Sequence, residues 1–339
     1  MSTQVQLTSY PAGAIRETDF RLVDVEPPEP GPGEVLVRNT WTSVDPGMRL
    51  RLAAHAPVGY FAPFPLHAPL DGIMTVGEVV ESYADGFASG DLVWHAAGWR
   101  EHAVVRAGEP ALRGLGTLTR LDGSAAPAHA YLGPLGGVGL TAYAGLLHAA
   151  ELRPGDVVWV SAAAGAVGSI AAQIAKLRGH RVIGSAGSPA KVAYLRDELG
   201  LDAAFDYHDG PVVDLLRTAA PDGIDVYFDN VGGEHLEAAL GALRRGGRAA
   251  LCGAISNYER APIGPRNLFQ ATANDLTLRG FRGSSHVDLI PDLHRDMGAW
   301  IAAGRVKTHE TTFDGLDSAP HALVEMLAGA TVGKTLVKL

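Results

Sequence analysis

Residues 157–170 have the sequence Val157-Val-Trp-Val-Ser-Ala-Ala-Ala-Gly-Ala-Val-Gly-Ser-Ile, which contains the strongest indication of the fold. An apolar run typical of a buried strand leads into a turn of small residues, and the turn leads into the start of a helix. Gly165 and Gly168 match the second and third glycines of the pattern G-x-G-x-x-G, and Ala163 stands at the first position. Such glycines let the backbone approach a pyrophosphate and let the helix pack closely on the strand. The stretch therefore predicts a dinucleotide-binding turn.

The helix after this turn is expected to begin near Ala166. Its free N–H groups and positive end would hold the pyrophosphate, so Gly165, Ala166, Val167 and Gly168 are the predicted phosphate contacts. A tight strand-to-helix turn without a ligand is the alternative interpretation of the same residues.

Beyond about Leu132, Ala- and Leu-rich segments with helical spacing alternate with short apolar runs. This alternation predicts βαβ units and a parallel sheet. We expect its strands at residues 157–161, 181–184, 204–205, 225–228, 248–252 and 276–279. A further helix should begin at Pro189, because Ser188 can cap its N–H groups and a proline in the first turn loses no hydrogen bond.

The first 125 residues or so follow a different pattern. This part contains short β-type runs, separated by Pro- and Gly-rich turns, at residues 34–39, 75–81 and 90–95. Such a pattern predicts a β-rich unit. From His309 the chain returns to a strand-helix-strand pattern, which is expected to rejoin the first domain. The predicted fold class is α/β, with a Rossmann doubly wound parallel sheet beside a β-rich domain. The expected boundaries are 1–130, 131–308 and 309–339.

Bulk properties narrow the function. A chain of 339 residues is expected to form two domains. A formal net charge of -9 argues against nucleic-acid and anionic-membrane partners, because both need a basic face. The N-terminus lacks the features of a signal peptide, and no apolar run is long enough to span a bilayer. A single cysteine, Cys252, indicates a reducing compartment, so we expect a cytoplasmic protein.

The region after the second predicted strand indicates which dinucleotide is bound. An NAD site usually has Asp or Glu about 20 residues beyond the glycine turn, where it binds the ribose hydroxyls. Here no carboxylate appears before Asp197. Ser188 at a helix start and Lys191 one turn later suit an anionic 2′-phosphate instead, so the sequence predicts NADPH. A solvated helix lysine is the alternative interpretation of Lys191.

No metal site is predicted. A catalytic zinc needs thiolate and imidazole ligands with one open position, and one cysteine cannot supply that set. Cys252 lies in an apolar run and is interpreted as a buried structural thiol. The 13 histidines are scattered through the chain.

Several motifs together resemble one branch of the zinc-independent medium-chain dehydrogenase/reductases, that of the prostaglandin reductases, leukotriene hydroxydehydrogenases, alkenal double-bond reductases and curcumin reductase. The resemblance covers nearly the whole chain. Its motifs are Val44-Asp-Pro-Gly-Met-Arg, Gly98-Trp-Arg-Glu-His, Gly139-Leu-Thr-Ala-Tyr, Ala162-Ala-Ala-Gly-Ala-Val-Gly-Ser, Phe228-Asp-Asn-Val-Gly-Gly, Cys252-Gly-Ala-Ile-Ser-Asn-Tyr and Gly333-Lys-Thr-Leu-Val.

The resemblance implies a GroES-like N-terminal domain to which the C-terminal segment returns. It also implies reduction of the carbon–carbon double bond of α,β-unsaturated ketones and aldehydes by NADPH, with hydride added at the β-carbon and an enolate formed. Tyr258 resembles the family tyrosine beside the substrate, where a phenol can stabilise the enolate oxygen. A solvent-facing loop tyrosine is the alternative.

Further residue roles come from the same resemblance. Ser188 and Lys191 resemble contacts of the 2′-phosphate, and Tyr207 resembles the tyrosine near it. Asp45 and Met48 resemble residues of the substrate and nicotinamide cleft, although Asp45 before Pro46 also fits an ordinary turn. The remaining residues assigned to the cofactor are Asn230, Cys252, Ile255 and Thr331.

Two residues depart from the family pattern. Thr331 replaces a frequent Asn, and its hydroxyl could keep one hydrogen bond. Gly47 replaces a frequent Tyr, which predicts more open space near the substrate and a larger or differently shaped acceptor. The family also implies a homodimer, formed by the apolar strand around residues 275–281 pairing across a two-fold axis.

Two alternatives to enone reduction stay open. Quinone reduction would use the same fold and cofactor without zinc, and a non-catalytic NADPH-binding scaffold would use the fold without hydride transfer. The natural acceptor depends on loop shapes, such as that of residues 261–271, that no motif fixes.

Overall fold

A computed structural model describes residues 1–110, 116–259 and 262–339 of the chain. The described chain divides into two units, one formed by Met1–Gly136 with Glu310–Leu339 and the other by Gly137–His309. Loop 261–271 is described from residue 262 onward, and its first residue lies outside the described part.

The strands are, in chain order, β1 (Ser2–Leu7), β2 (Phe20–Val25), β3 (Glu34–Val44), β4 (Thr75–Ser82), β5 (Leu92–His95), β6 (His102–Arg106), β7 (Thr119–Arg120), β8 (Val157–Val160), β9 (Arg181–Ala186), β10 (Ala203–Asp206), β11 (Ile224–Asp229), β12 (Leu243–Leu251), β13 (Thr277–Gly280), β14 (Glu310–Asp314) and β15 (Lys334–Lys338). The α-helices are α1 (Gly137–Ala144), α2 (Ala166–Leu177), α3 (Pro189–Ala193), α4 (Val212–Ala219), α5 (Gly233–Ala242), α6 (Phe269–Ala273), α7 (Ile290–Ala302) and α8 (Ala319–Leu327). Short 3-10 and π-helical turns connect several of them.

The second unit is a doubly wound parallel sheet. Its strand order is β10-β9-β8-β11-β12-β13, and each neighbouring pair is parallel. Read outward from β8, this is the 3-2-1-4-5-6 order of dinucleotide-binding folds. The predicted fold class is confirmed. The strand order reverses beside β8, and ligands bind at such a switch point, outside the carboxyl ends of the strands.

All six predicted strands of this sheet are present, with small differences at their ends. The largest difference is in β12, which begins at Leu243 rather than at Arg248. The pairing of β11 with β12 is irregular, since Ile224 pairs with Leu243 and Val226 pairs with Arg248. Gly246 and Gly247 lie in the part of β12 that this irregularity leaves without a partner in β11. Two adjacent glycines in a strand gave no strand signal in the sequence.

The helix predicted at Pro189 is also confirmed. The Ser188 hydroxyl accepts a hydrogen bond from the Lys191 backbone N–H at 3.3 Å, and Pro189 occupies the first turn. The α-helical part is short, since from Tyr194 the chain continues as a π-helical turn to Glu198.

The first unit is built on a mostly antiparallel sheet in the order β14-β15-β3-β4-β5-β7, with β6 also paired to β3. The two strands from the C-terminal segment join it through β15, which lies antiparallel to β3. A separate pair, β1 and β2, is antiparallel. Among the described residues, no helix has the length and apolar character needed to cross a membrane.

Candidate active site

The glycine turn between β8 and α2 has the geometry of a phosphate-binding turn. Ala163 N–H donates to the Ser185 carbonyl at 2.9 Å, which ties the turn to the end of β9. Gly165 precedes the helix in an extended conformation, and residues 165–167 are partly exposed. The first N–H groups of α2 have no partner within the helix, so this end of α2 can bind an anion.

Gly168 is where the helix packs most closely on the turn. A Cβ added there would overlap the Ala162 carbonyl oxygen and lie 2.9 Å from the Ala163 Cα. At Gly165 the added atom would lie 3.2 Å from the Ala162 carbonyl oxygen, a less severe contact. The close helix packing assigned to the third glycine is therefore present at Gly168.

The turn also contains one strained backbone residue, which is not at the position of the missing first glycine. The left-handed residue is Ala162, with φ of +46°, one residue before the Ala163 that matches the glycine position. An alanine in this region is unfavourable, and such residues persist where the surrounding structure holds them.

Ser188, Lys191 and the ring of Tyr207 lie around the end of β9. Parallel pairing of β9 with β10 sets Asp206 beside Ala186, so Tyr207 follows next to Gly187. A Cβ added at Gly187 would lie 2.9 Å from the Tyr207 hydroxyl oxygen. The Tyr207 hydroxyl thus lies over Gly187, the residue before the helix cap Ser188. Partial burial lowers the pKa of Lys191.

The chemistry of these groups fits a 2′-phosphate. Residues 186–188 at the end of β9 are Ala, Gly and Ser, which offer no carboxylate to a ribose hydroxyl. Asp206, at the end of the neighbouring strand, is buried and accepts hydrogen bonds from His208 instead.

Asn230 holds the glycine turn from the neighbouring strand end. Its side-chain amide donates to the Ser161 carbonyl at 2.7 Å, and its backbone N–H donates to the Ser161 hydroxyl at 3.0 Å. The residue assigned to the cofactor therefore also supports the turn that would bind the pyrophosphate.

Tyr258 lies on a short loop after β12. The Ile255 N–H donates to the Asn230 carbonyl at 3.3 Å, and the Tyr258 N–H donates to the Ile255 carbonyl at 3.2 Å. The phenol folds back over the strand end, since a Cβ at Gly253 would lie 3.5 Å from its oxygen. Burial raises the pKa of Tyr258, so the phenol stays protonated at neutral pH and can donate a hydrogen bond.

Cys252 lies at the end of β12, where its N–H donates to the Asp229 carbonyl at 2.9 Å. Burial and the nearby Asp229 charge raise the pKa of its thiol to about 12. The thiol is therefore protonated and a poor nucleophile, in keeping with a structural role.

In the first unit, Asp45 is held by a buried cation. Lys334 Nζ donates to Asp45 Oδ1 at 2.8 Å and to the Val44 carbonyl at 2.8 Å, and the Ser43 hydroxyl also bonds the carboxylate. Lys334 is 4% exposed, so this carboxylate partner offsets part of the cost of burying the ammonium. Asp45 was predicted from the sequence, whereas Lys334 stood out only as part of the motif Gly333-Lys-Thr-Leu-Val.

Met48 and Thr331 also lie in the first unit. Met48 is buried in the hydrophobic core, and the Thr331 hydroxyl accepts a hydrogen bond from the Thr335 hydroxyl at 3.1 Å. This bond joins Thr331, which lies just before β15, to the second residue of that strand, and a hydrogen bond from Thr331 to the cofactor stays a prediction.

The open space expected beside Gly47 is not there. A Cβ added to Gly47 would overlap the Tyr60 hydroxyl oxygen and lie 3.7 Å from the Tyr60 Cζ. Gly47 has no positive φ, so its backbone does not require glycine. The expectation of extra room was wrong at this position, because a side chain distant in sequence fills it.

We therefore expect Gly47→Ala to lower the free energy of unfolding by about 1 kcal/mol, the low end for overpacking, because the Tyr60 hydroxyl at the end of a half-buried side chain must move away from the new methyl. In a Tyr60→Phe background the same methyl meets only the ring carbon, and most of that cost should disappear. Thermal and denaturant unfolding of the four proteins of this cycle measure the coupling. Gly13→Ala is the control, since nothing lies within 4 Å of a Cβ there. Equal costs in both backgrounds would contradict the contact.

Across the described ranges 1–110, 116–259 and 262–339, no group of three or more His, Cys, Asp or Glu side chains is arranged to hold a metal ion.

The structure brings most predicted site residues of the second unit to one edge of its sheet. They lie at the carboxyl ends of five neighbouring strands: Gly165, Ala166, Val167, Gly168, Ser188, Lys191, Tyr207, Asn230, Cys252, Ile255 and Tyr258. Asp45, Met48 and Thr331 belong to the first unit. Three buried polar residues near this edge were not predicted from the sequence: Ser161, Tyr227 and Asp229. The sequence feature that could have indicated them is a polar residue within or directly after an apolar strand.

The chain matches two families of known proteins. Residues 3–112 match the family described as "N-terminal domain of oxidoreductase", and residues 166–300 match that described as "Zinc-binding dehydrogenase". With the doubly wound sheet and its glycine turn, these matches define an oxidoreductase of the dehydrogenase/reductase class.

Individual relatives define the family more closely. The chain is 40% identical to "Putative NADP-dependent oxidoreductase YfmJ" of Bacillus subtilis, over 99% of this chain and 97% of that protein. It is 37% identical to "2-alkenal reductase (NADP(+)-dependent)" of Nicotiana tabacum, over 98% and 96%. The solved structure of CurA from Vibrio vulnificus in complex with NADPH superposes with a TM-score of 0.89 at 34% identity, covering 99% of this chain and 98% of that one. The chain belongs to the medium-chain dehydrogenase/reductase family, in the branch of the alkenal, prostaglandin and curcumin reductases.

Proposed function

We propose that this protein is an NADPH-dependent, zinc-independent reductase of the carbon–carbon double bond of α,β-unsaturated ketones and aldehydes. The position of Tyr258 carries the proposal. Its protonated phenol lies over Gly253, at the edge of the sheet where the glycine turn of residues 161–165 ends. A hydrogen-bond donor placed there can stabilise an oxyanion beside a bound dinucleotide.

The residues that would hold NADPH fall into two groups. The N–H groups at the start of α2, from Gly165 to Gly168, would bind the pyrophosphate. Ser188, Lys191 and Tyr207 would surround the 2′-phosphate. When bound, NADPH supplies the hydride. The names of the relatives support this choice, since two of them are NADP-dependent and the CurA structure contains NADPH.

Tyr258 would act on the carbonyl end of the acceptor. As hydride adds to the β-carbon, the electron pair of the double bond moves toward the carbonyl, and negative charge develops on its oxygen. The phenol donates a hydrogen bond to that oxygen, and protonation of the α-carbon from solvent then completes the saturated product. Since burial raises the pKa of Tyr258, the phenol keeps its proton through this sequence.

The reaction is tested by following NADPH absorbance with a panel of enals, enones, curcumin-like compounds and quinones. The same panel is run with NADH, and the products are identified by mass spectrometry and NMR. Saturated carbonyl products are expected, at rates that metal chelators do not change. Quinols alone would favour a quinone reductase, and cofactor binding without turnover would favour a scaffold. Loss of activity with a chelator would contradict zinc independence.

Lys191→Ala tests the 2′-phosphate assignment. We expect kcat/KM with NADPH to fall about tenfold and kcat/KM with NADH to change little, because the lost ammonium would contact the 2′-phosphate, which NADH lacks. Lys176→Ala is a matched control in the same unit, since Lys176 pairs with Asp202 on another surface. An unchanged NADPH/NADH ratio would remove Lys191 from the proposed site.

We also propose that the protein is a homodimer. Strand β13 is the edge of its sheet, and its pairing groups on the far side face no other described strand. A second copy can pair with such an edge across a two-fold axis. Sedimentation or light scattering that shows only monomer at working concentration would refute the dimer.

A further inference from the structure

Three polar side chains form a buried network between β8 and β11. Ser161, Tyr227 and Asp229 are 0%, 0% and 2% exposed. The Tyr227 hydroxyl lies 2.8 Å from Asp229 Oδ1 and 3.0 Å from Ser161 Oγ. The phenol carries one proton, so when it donates to the carboxylate, the bond between Tyr227 and Ser161 uses the proton of the serine hydroxyl, which otherwise donates to the Phe228 carbonyl at 3.3 Å. Buried polar networks of this kind rigidify their surroundings when every member is satisfied.

Asp229 also closes the turn that follows β11. The same Oδ1 accepts from the Val231 N–H at 3.0 Å and from the Gly232 N–H at 2.7 Å. Gly232 has a φ of +71°, which the turn requires and which glycine adopts without strain. One carboxylate oxygen therefore receives three hydrogen bonds, and it fixes the path of the chain between β11 and α5.

The backbone of this turn in turn holds the loop that carries Tyr258. The Asp229 carbonyl accepts from the N–H groups of Cys252 and Gly253 at 2.9 and 3.0 Å. The Val231 carbonyl accepts from the Ser256 N–H at 3.1 Å and from its hydroxyl at 2.6 Å. The loop start and its middle are thus both tied to residues 229–231.

The other end of the network lies in the glycine turn. Ser161 is the first residue after β8, and its hydroxyl accepts from the Asn230 N–H at 3.0 Å while its carbonyl accepts from the Asn230 side chain at 2.7 Å. The network therefore joins the turn assigned to the pyrophosphate with the loop assigned to the enolate oxygen. Neither segment needs to contact the other directly.

We propose that the Ser161–Tyr227–Asp229 network sets the position of the Tyr258 loop relative to the glycine turn, with Tyr227 and Asp229 as positioning residues for the reaction. This inference rests on the proposed function, because it gives Tyr258 its role at the acceptor. The three side chains of the network are buried, so the network acts through the backbone of residues 229–232. Burial raises the pKa of Tyr227 well above its ordinary value, so its hydroxyl remains a donor.

Tyr227→Phe is the variant that tests the network, because it removes the bridging hydroxyl and keeps the buried ring, which stacks on Trp159 at 4.4 Å. We expect kcat to fall about three- to tenfold, the effect of one lost hydrogen bond, with little change in KM for the acceptor. In a Tyr258→Phe background the same change should have no further effect on kcat. Tyr194→Phe is the control, since the Tyr194 hydroxyl is buried without a partner among the described residues.

Amide hydrogen exchange provides a readout independent of turnover. Tyr227→Phe should speed exchange in the segment 252–258 and in the turn 161–165, while Tyr194→Phe should not. Asp229→Asn keeps a carbonyl oxygen for the three donors and should restrain exchange better than Asp229→Ala. Because exchange needs no acceptor, a wild-type protein that reduces no enone would refute the proposed function and leave the network measurable.

Three results would overturn the inference. The first is wild-type kcat in Tyr227→Phe when the wild-type protein reduces enones. The second is an equal loss of kcat from Tyr227→Phe with and without the Tyr258 hydroxyl, which would show that the network acts elsewhere. The third is exchange in residues 252–258 that does not respond to Tyr227→Phe.

Discussion

Tyr258→Phe is expected to lower kcat for enone reduction about 100-fold, because the phenol is the donor that stabilises charge on the acceptor oxygen. Its ring stays in place, so the Kd for NADPH, measured by fluorescence titration, should change less than threefold, roughly half a kcal/mol. KM for the acceptor should also change little if the bond strengthens only as negative charge develops.

The control for this change is Tyr83→Phe. Tyr83 is an exposed tyrosine of the first unit whose hydroxyl bonds Glu81, so its loss should leave kcat unchanged. Turnover by Tyr258→Phe within about threefold of wild type, a barrier difference under one kcal/mol, would remove the phenol from the mechanism.

The pH dependence of the wild-type protein follows from the same group. The pKa of Tyr258 is raised above its ordinary value of about 10 by burial, and the protonated phenol is the active form. Ionisation of Tyr258 would lower kcat only as pH rises through that raised value. We therefore expect kcat to show no loss assignable to this tyrosine between about pH 6 and 9.

Gly168→Ala is expected to raise the Kd for NADPH about 10- to 100-fold. The new Cβ would overlap the Ala162 carbonyl oxygen, so the turn or the helix must move. Overpacking of this kind costs about 1–3 kcal/mol, and here it falls on the backbone that would bind the pyrophosphate. Titration of NADPH by fluorescence, together with thermal unfolding, separates loss of binding from loss of fold.

Two more glycine-to-alanine variants make this a graded series. Gly165→Ala places its Cβ 3.2 Å from the Ala162 carbonyl oxygen and should have a smaller effect. Gly298→Ala lies in α7 with nothing within 4 Å, and it should leave binding unchanged while adding up to about 1 kcal/mol of stability. If Gly168→Ala binds NADPH as tightly as Gly298→Ala does, close packing at the turn is not what the cofactor needs.

The fold class, and the residues at the carboxyl edge of the parallel sheet, were predictable from local sequence patterns. Apolar runs alternating with helical segments predicted all six parallel strands. Burial on both faces makes the central strands, such as β8 and β11, continuous in hydrophobicity. Ser188 before Pro189 predicted a helix start that the structure contains, since capping is a local interaction. Tyr258 was indicated only by the family resemblance, because local sequence patterns do not predict which residues surround a side chain in a loop.

The partners of the polar residues and of the glycines could not be predicted in this way, because they come from distant parts of the chain. Lys334 bonds Asp45, which lies 289 positions earlier in the chain. The space beside Gly47 is filled by the hydroxyl of Tyr60, which lies on a separate loop. Asp229 receives three donors because the chain turns back at Gly232. Composition and periodicity predict which residues are buried and which helix or strand they belong to, because both are local properties of the chain. Contacts between distant residues depend on how the strands and loops pack, so they became visible only in the folded chain.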